Sequence, residues 1–217
     1  MCPTLHDPPG PTPQHRAAVL AGHAGDDATA RSLLTDADPR TRASALSALV
    51  RSGAVSGAEL ATALTDPEPF VRRRAAQDVG RLTGPNTAPS LSGALSDPDP
   101  MVVEIACWAA GELESESDVE QLIDIAGHHE DPLCREAAVA ALGAIGDERG
   151  RHTVVTACSD IATIRRRAVL ALAAFDGPES TAMLRRLTAD RDLQVRQSAE
   201  DLLAIVEGES IGRQPDV

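Results

Sequence analysis

Six stretches of the chain recur at a nearly constant interval, and that interval constrains the fold more than any single motif. The segments DPRTRASALSAL, EPFVRRRAAQDVG, DPMVVEIACWAAG, DPLCREAAVAALG, ATIRRRAVLALA and LQVRQSAEDLLA share an alanine, at Ala45, Ala75, Ala106, Ala138, Ala168 and Ala199. The steps between these alanines are 30, 31, 32, 30 and 31 residues. A period of roughly 20–50 residues marks stacked supersecondary units, none of which can bury its apolar face alone.

Each unit reads as two helices. The first is short, over Ala28–Leu34, Ala58–Leu64, Thr87–Leu95, Val119–Ala126, His152–Cys158 and Ala182–Leu187. The second follows an acid–proline pair at Asp38-Pro39, Glu68-Pro69, Asp99-Pro100 and Asp131-Pro132. An acid at the N-cap satisfies orphan N–H groups, and proline at the first helical position lacks the donor that would be left over. Gly80, Gly111 and Gly143 recur near the ends of second helices, as close-packing or termination points. Only 1% of the residues are aromatic, against a hydrophobic fraction of 42%. A core of Ala, Leu and Val suits closely packed helices.

A common register places the remaining side chains. With Arg42, Arg72, Val103, Arg135, Arg165 and Arg196 set at +1, positions 0, +4, +5 and +8 are apolar in nearly every unit. In the third unit they are Val102, Ala106, Cys107 and Ala110. That stripe is the core. Positions +2, +6 and +10 point away from it.

These units resemble HEAT repeats, in particular the short form of about 30 residues named after phycobilisome lyases, over residues 16 to 206. The family's Asp-x5-Arg pattern is kept by Asp36/Arg42, Asp66/Arg72 and Asp190/Arg196. The resemblance implies an all-α, right-handed solenoid of about six two-helix repeats, with Asp and Arg forming a ladder between neighbours. It also implies that the second helices line a concave side where partners dock. The pattern lapses where Asp97 precedes Val103, His129 precedes Arg135 and Ser159 precedes Arg165, so the ladder is expected to break at all three. Outside the repeat, residues 1–14 carry Pro3, Pro8, Pro9, Pro11 and Pro13 and read as an extended leader; 207–217 read as a polar tail.

Charge narrows the function. The formal net charge is −13, and all 20 basic residues are arginine. Affinity for a phosphate backbone comes from basic residues, so nucleic acid is a poor fit. Arg72-Arg73-Arg74 and Arg165-Arg166-Arg167 are the only support for it, and the HEAT-like DNA glycosylases would need a basic groove. No window is apolar enough to span a membrane, and the N-terminus has no signal-peptide pattern. Cys2, Cys107, Cys134 and Cys158 show no close pairing, which fits buried free thiols in a reducing cytoplasm.

Catalytic and metal chemistry find little footing. His128-His129-Glu130-Asp131 is the one cluster of metal-ligand types, whereas HEAT-type deoxyhypusine hydroxylases hold two irons with several His-Glu pairs. No cofactor, metal or catalytic residue is assigned.

The candidate binding residues come from the outward positions. Trp108, the one tryptophan, stands at +6 in the third unit, with Glu104 at +2 and Glu112 at +10. It reads as an exposed anchor or as a partly buried filler between second helices; Trp is enriched at interface hot spots. Carboxylates one turn to either side would favour a cation on the indole face. Arg73, Gln77 and Glu136 occupy neighbouring outward positions. Asp and Glu occur eleven times from Asp97 to Asp131, with no Arg between Arg81 and Arg135. The expected function is a non-catalytic adaptor whose partner is a protein, basic or amine-bearing. The alternatives are a lyase-type or chaperone-like subunit handling a bilin or other small cofactor, and an enzyme acting on an amine-containing small molecule in the groove.

Overall fold

The computed structural model describes residues 10, 12–82 and 88–212, the last four as backbone only. Most of the expected leader, Thr87 at the start of the expected third first-helix, and the end of the expected tail lie outside the described residues. The chain forms two compact units, residues 1–89 and 90–217. The first holds α1 (Pro13–Ala24), α2 (Asp27–Ser32), α3 (Pro39–Ser52), α4 (Gly57–Leu64) and α5 (Pro69–Val79). The second holds α6 (Ser92–Leu95), α7 (Pro100–Glu112), α8 (Val119–His128), α9 (Pro132–Ile145), α10 (Arg151–Ala157), α11 (Ala162–Ala171), α12 (Pro178–Leu187) and α13 (Leu193–Gly212). The described residues contain no strand. The fold class is the all-α solenoid type anticipated from the repeat.

Local chemistry starts the second helices as expected, with one exception. Asp38, Asp99 and Asp131 accept hydrogen bonds at their helix N-termini from the amides of Arg40, Met101 and Leu133. Glu68 caps α5 by position but makes no side-chain cap bond. The third first-helix is shorter than expected. It begins at Ser92, because Pro89 supplies no N–H and biases Ala88 away from helical geometry.

The register holds. Every residue at 0, +4, +5 and +8 in α3, α5, α7, α9 and α11 is buried, from Thr41, Ala45, Leu46 and Leu49 to Ile164, Ala168, Val169 and Leu172. In α13 it holds at two positions only: Val195 and Ala199 are buried, but Glu200 at +5 is exposed and Leu203 at +8 is half-buried. The register also reaches a helix outside the six repeats. Ala18 and Ala21 of α1 are buried at +5 and +8, and α1 packs on α3. Thr12 caps α1 before Pro13, as the acids cap later helices. Thus α1 stands in the place of a second helix against α3.

Seams between second helices rest on small residues. A Cβ on Gly143 would lie 2.6 Å from the Ala171 Cβ and 2.8 Å from its Cα. On Gly111 it would lie 3.1 Å from the Ala141 Cα, and on Gly22 2.9 Å from the Ala48 Cβ. In each case a glycine at +9 faces an alanine at +7 of the next second helix, so Gly111 and Gly143 are close-packing positions within their helices. Gly80 is a C-cap with φ −65, without left-handed geometry.

The ladder joins Arg42, Arg135 and Arg165 each to two turns. Arg42 donates from Nη1 to the Asp36 carbonyl at 2.8 Å, and from Nε and Nη2 to the Asp66 carboxylate of the next repeat at 2.8 and 2.7 Å. Arg165 treats the carbonyl of Asp160 and the carboxylate of Asp190 in the same way. Burial opposes ionisation of Asp66, but the Arg42 bonds and the Glu68 amide outweigh it and hold the carboxyl below its ordinary range.

Three expected breaks in the ladder reduce to one. Arg135 reaches the Asp160 carboxylate at 3.1 and 3.3 Å, because Asp160, one residue after Ser159, supplies the acceptor. Arg135 also bonds the His129 carbonyl, so it keeps both arms. The remaining break is between α7 and α9, where Val103 stands for the arginine and His129 for the aspartate: the two lapses are halves of a single rung. Val103 is buried. His129 still does the other job of the aspartate, since its Nδ1 accepts from the Asp131 amide at 3.1 Å, as Asp36 accepts from Asp38.

Four outcomes follow for thermal unfolding of the second unit. Gly143→Ala should destabilise it by about 1–3 kcal/mol despite a better helix propensity. Gly127→Ala, whose Cβ would meet nothing within 4 Å, should be neutral or slightly stabilising. Val103→Arg alone buries an unpaired guanidinium and should lower stability. Adding His129→Asp should recover about 0.5–3 kcal/mol as a favourable coupling in a double-mutant cycle.

Candidate functional site

The second helices keep positions +2 and +6 out of the core because 0, +4, +5 and +8 are used for packing. In the second unit this leaves two rows across α7, α9, α11 and α13. The +2 row is Glu104, Glu136, Arg166 and Gln197; the +6 row is Trp108, Ala140, Leu170 and Asp201. None of the eight is buried.

Trp108 is half-buried, so it is neither sealed into a seam nor fully free. Glu104 is half-buried and Glu112 exposed. Their carboxylates have no hydrogen bond or ion pair among the described residues, so the fold makes no visible use of them. Glu136 is half-buried and lies 3.7 Å from the Arg167 guanidinium of α11. Arg73 and Gln77 belong to α5 of the first unit, where both are half-buried. The Arg73 guanidinium sits 5.9 Å from the centroid of the exposed Phe70 ring.

The concavities of this face lie further along than Trp108. A groove of about 360 Å³ runs between α11 and α13, lined by Arg166, Leu170, Gln194, Gln197, Ser198 and Asp201. A second, of about 190 Å³, is lined by Glu136, Thr163, Arg166, Arg167 and Leu170. Leu170, 52% exposed, is common to both. Arg166 is braced across the first groove by Asp192 at 2.5 Å, and this guanidinium holds the Asp192 carboxyl down to about 2. Sequence reasoning placed Arg166, Leu170, Gln197 and Asp201 on the outward register but did not select them. The signal was a leucine at +6, an offset that lies outside the apolar stripe of the repeat.

The reactive side chains are occupied elsewhere. Cys107, Cys134 and Cys158 are buried free thiols. Burial pushes all three up, Cys134 to about 11 and Cys158 to about 12, which disfavours the nucleophilic thiolate. His128 pairs with Asp124 at 3.1 Å, and His152 lies 3.5 Å from Glu179. Among the described residues no three His, Cys, Asp or Glu side chains come together as an ion site. No described helix is long and apolar enough to cross a membrane.

Known proteins were compared on sequence and on structure. HEAT repeats match residues 57–143 and 119–204. No curated protein matches significantly over its sequence. Among solved structures, the Escherichia coli protein YibA is similar at 18% identity and TM-score 0.63, over 95% of this chain and 80% of that one. An engineered protein reaches 20% identity and TM-score 0.61, over 84% of this chain and 97% of its own. The CpcE–CpcF complex of phycocyanin lyase from Nostoc sp. PCC 7120 is similar at 24% identity and TM-score 0.60, over 83% of this chain and 76% of that one. At these identities the likenesses bear on fold. With the stacked helix pairs, the shared register and repeat matches over most of its length, the chain belongs to the HEAT-repeat family.

Proposed function

We propose that this protein is a non-catalytic adaptor that holds a basic protein segment on the second-helix face of its second unit. The observation that carries the reading is the +2/+6 surface: half-buried Trp108, exposed Leu170 and two carboxylates, Glu104 and Glu112, that the fold leaves without partners. An aromatic and an aliphatic anchor set among polar groups is the usual anatomy of a protein-binding patch.

Charge supports the choice of partner. Residues 1–89 carry nine acids and nine arginines, whereas residues 90–217 carry 24 acids and 11 arginines. The whole net charge therefore belongs to the second unit. A cationic side chain could lie on the indole face with Glu104 and Glu112 a turn away on either side.

Trp108 is the sole tryptophan, so its emission reports on this surface alone. Titrating an arginine-rich peptide should change that emission in a saturable way that weakens with salt. Leu170→Asp, or the pair Glu104→Gln with Glu112→Gln, should weaken binding about tenfold or more, while Glu114→Gln with Glu116→Gln should not. Equal affinities in all four proteins would remove the proposal.

A further inference from the structure

The groove between α11 and α13 has one wall whose polar group is already engaged and one whose polar groups are not. On the α11 side, Arg166 and Leu170 stand one turn apart and both line it. Arg166 leans toward the start of α13. Its Nε donates to one oxygen of Asp192 at 3.1 Å and its Nη2 to the other at 2.5 Å. That two-pronged pair meets the charge of Arg166 within the fold and ties the two helices at the N-terminal end of α13. Leu170 stays exposed.

The other wall is a stripe of α13. Gln194, Gln197, Ser198 and Asp201 follow the three- and four-residue spacing that aligns side chains on one helix face. Gln194, Gln197 and Asp201 are exposed and Ser198 is half-buried. The side chains of all four make no hydrogen bond or ion pair among the described residues. Two charged side chains therefore line the groove in opposite states: Arg166 is neutralised by Asp192, and Asp201 has no counter-charge.

These open groups define a ligand. Leu170 and Asp201 hold the same +6 offset on neighbouring second helices, so an apolar surface lies across from a carboxylate. An amide oxygen and a hydroxyl stand beside that carboxylate. A side chain with a methylene stem and a cationic head matches both surfaces. An ammonium is a compact charge with three diverging donors, which suits acceptors supplied by three separate side chains. A guanidinium presents its donors in one plane and prefers two oxygens side by side, as Arg166 does with Asp192. The volume of about 360 Å³ is at the small end of ligand sites.

We propose that the α11–α13 groove is a binding site for a lysine side chain of the partner. Asp201 takes the ammonium together with Gln197 and Ser198, Leu170 packs on the methylenes, and the Arg166–Asp192 pair walls one end. The inference rests on the adaptor reading in taking the partner to be a basic protein segment. It adds that a lysine of that segment is seated on α11 and α13, apart from any cation at Trp108 of α7.

Nitrogen-15 NMR of the full chain, titrated with Nα-acetyl-lysine methylamide, tests the site without the rest of a partner. Saturable shift changes should appear at Leu170, Gln197, Ser198 and Asp201, with a dissociation constant on the order of 1 mM. The norleucine counterpart, which lacks the ammonium, should bind about tenfold more weakly, and the arginine counterpart should also bind more weakly. Asp201→Asn should weaken the lysine compound about tenfold. Asp124→Asn removes the same charge from an exposed position on α8 and should leave binding as in the parent. The proposal is overturned by the absence of saturable shifts, by equal affinity for the lysine compound and either counterpart, or by an Asp201→Asn protein that binds as the parent does. The two readings fail separately. An arginine-rich peptide that changes Trp108 emission, while the lysine compound moves nothing in the groove, keeps the adaptor and removes the lysine site. Groove shifts with no response at Trp108 keep the lysine site and remove the adaptor.

Discussion

The rungs made by Arg42, Arg135 and Arg165 each depend on an arginine that reaches two turns at once. Its guanidinium ties the turn before its own helix through carbonyl oxygens and the corresponding turn of the next repeat through a carboxylate. Arginine suits the position because five donors on a rigid fork can serve acceptors of both kinds. A lysine could not span them with fixed geometry. The close approach of a glycine to an alanine is a separate device, since Gly111 meets Ala141 at the seam that lacks its arginine. Directional bonds set the register and small side chains set the distance.

Much of this was legible in the sequence because the repeat is a physical period. Buried positions in α3, α5, α7, α9 and α11 follow the same four offsets, and one segment read correctly fixes the others. What escaped notice departs from the shared alanine. The segment of α1 carries the offsets at Ala18 and Ala21, but with Thr12 in place of an acidic cap it did not align. The ladder was misread for a related reason. Pairing was counted within a repeat, whereas the carboxylate contact runs to the next one, so the lapses at Val103 and His129 looked like two faults. Asp160 was missed because the acceptor had moved by one residue.

The site was legible to the level of a face and no further. Offsets +2 and +6 identify side chains that packing does not consume, and the structure leaves Trp108, Glu104, Glu112 and Glu136 on that surface. Where the surface becomes concave depends on side-chain size across neighbouring helices: Leu170 stands beside Ala140 on one side and Asp201 on the other. No single-helix pattern contains that information. Asp78 of α5, buried and bonded by the Ser47 hydroxyl, was hidden more fully, since an acid in a helix rich in arginine reads as an ordinary surface residue.

The exposed Glu200 of α13 has a consequence for assembly. In every earlier second helix this offset carries a small or aliphatic side chain that the neighbouring layers cover. Were another molecule to lay a helix on α13 in the stacking register, it would have to strip water from a carboxylate, at a cost of several kcal/mol. An apolar residue there would offer a sticky end, and copies could join head to tail into fibres. One charged side chain in the core register thus disfavours stacking of a further helix on α13.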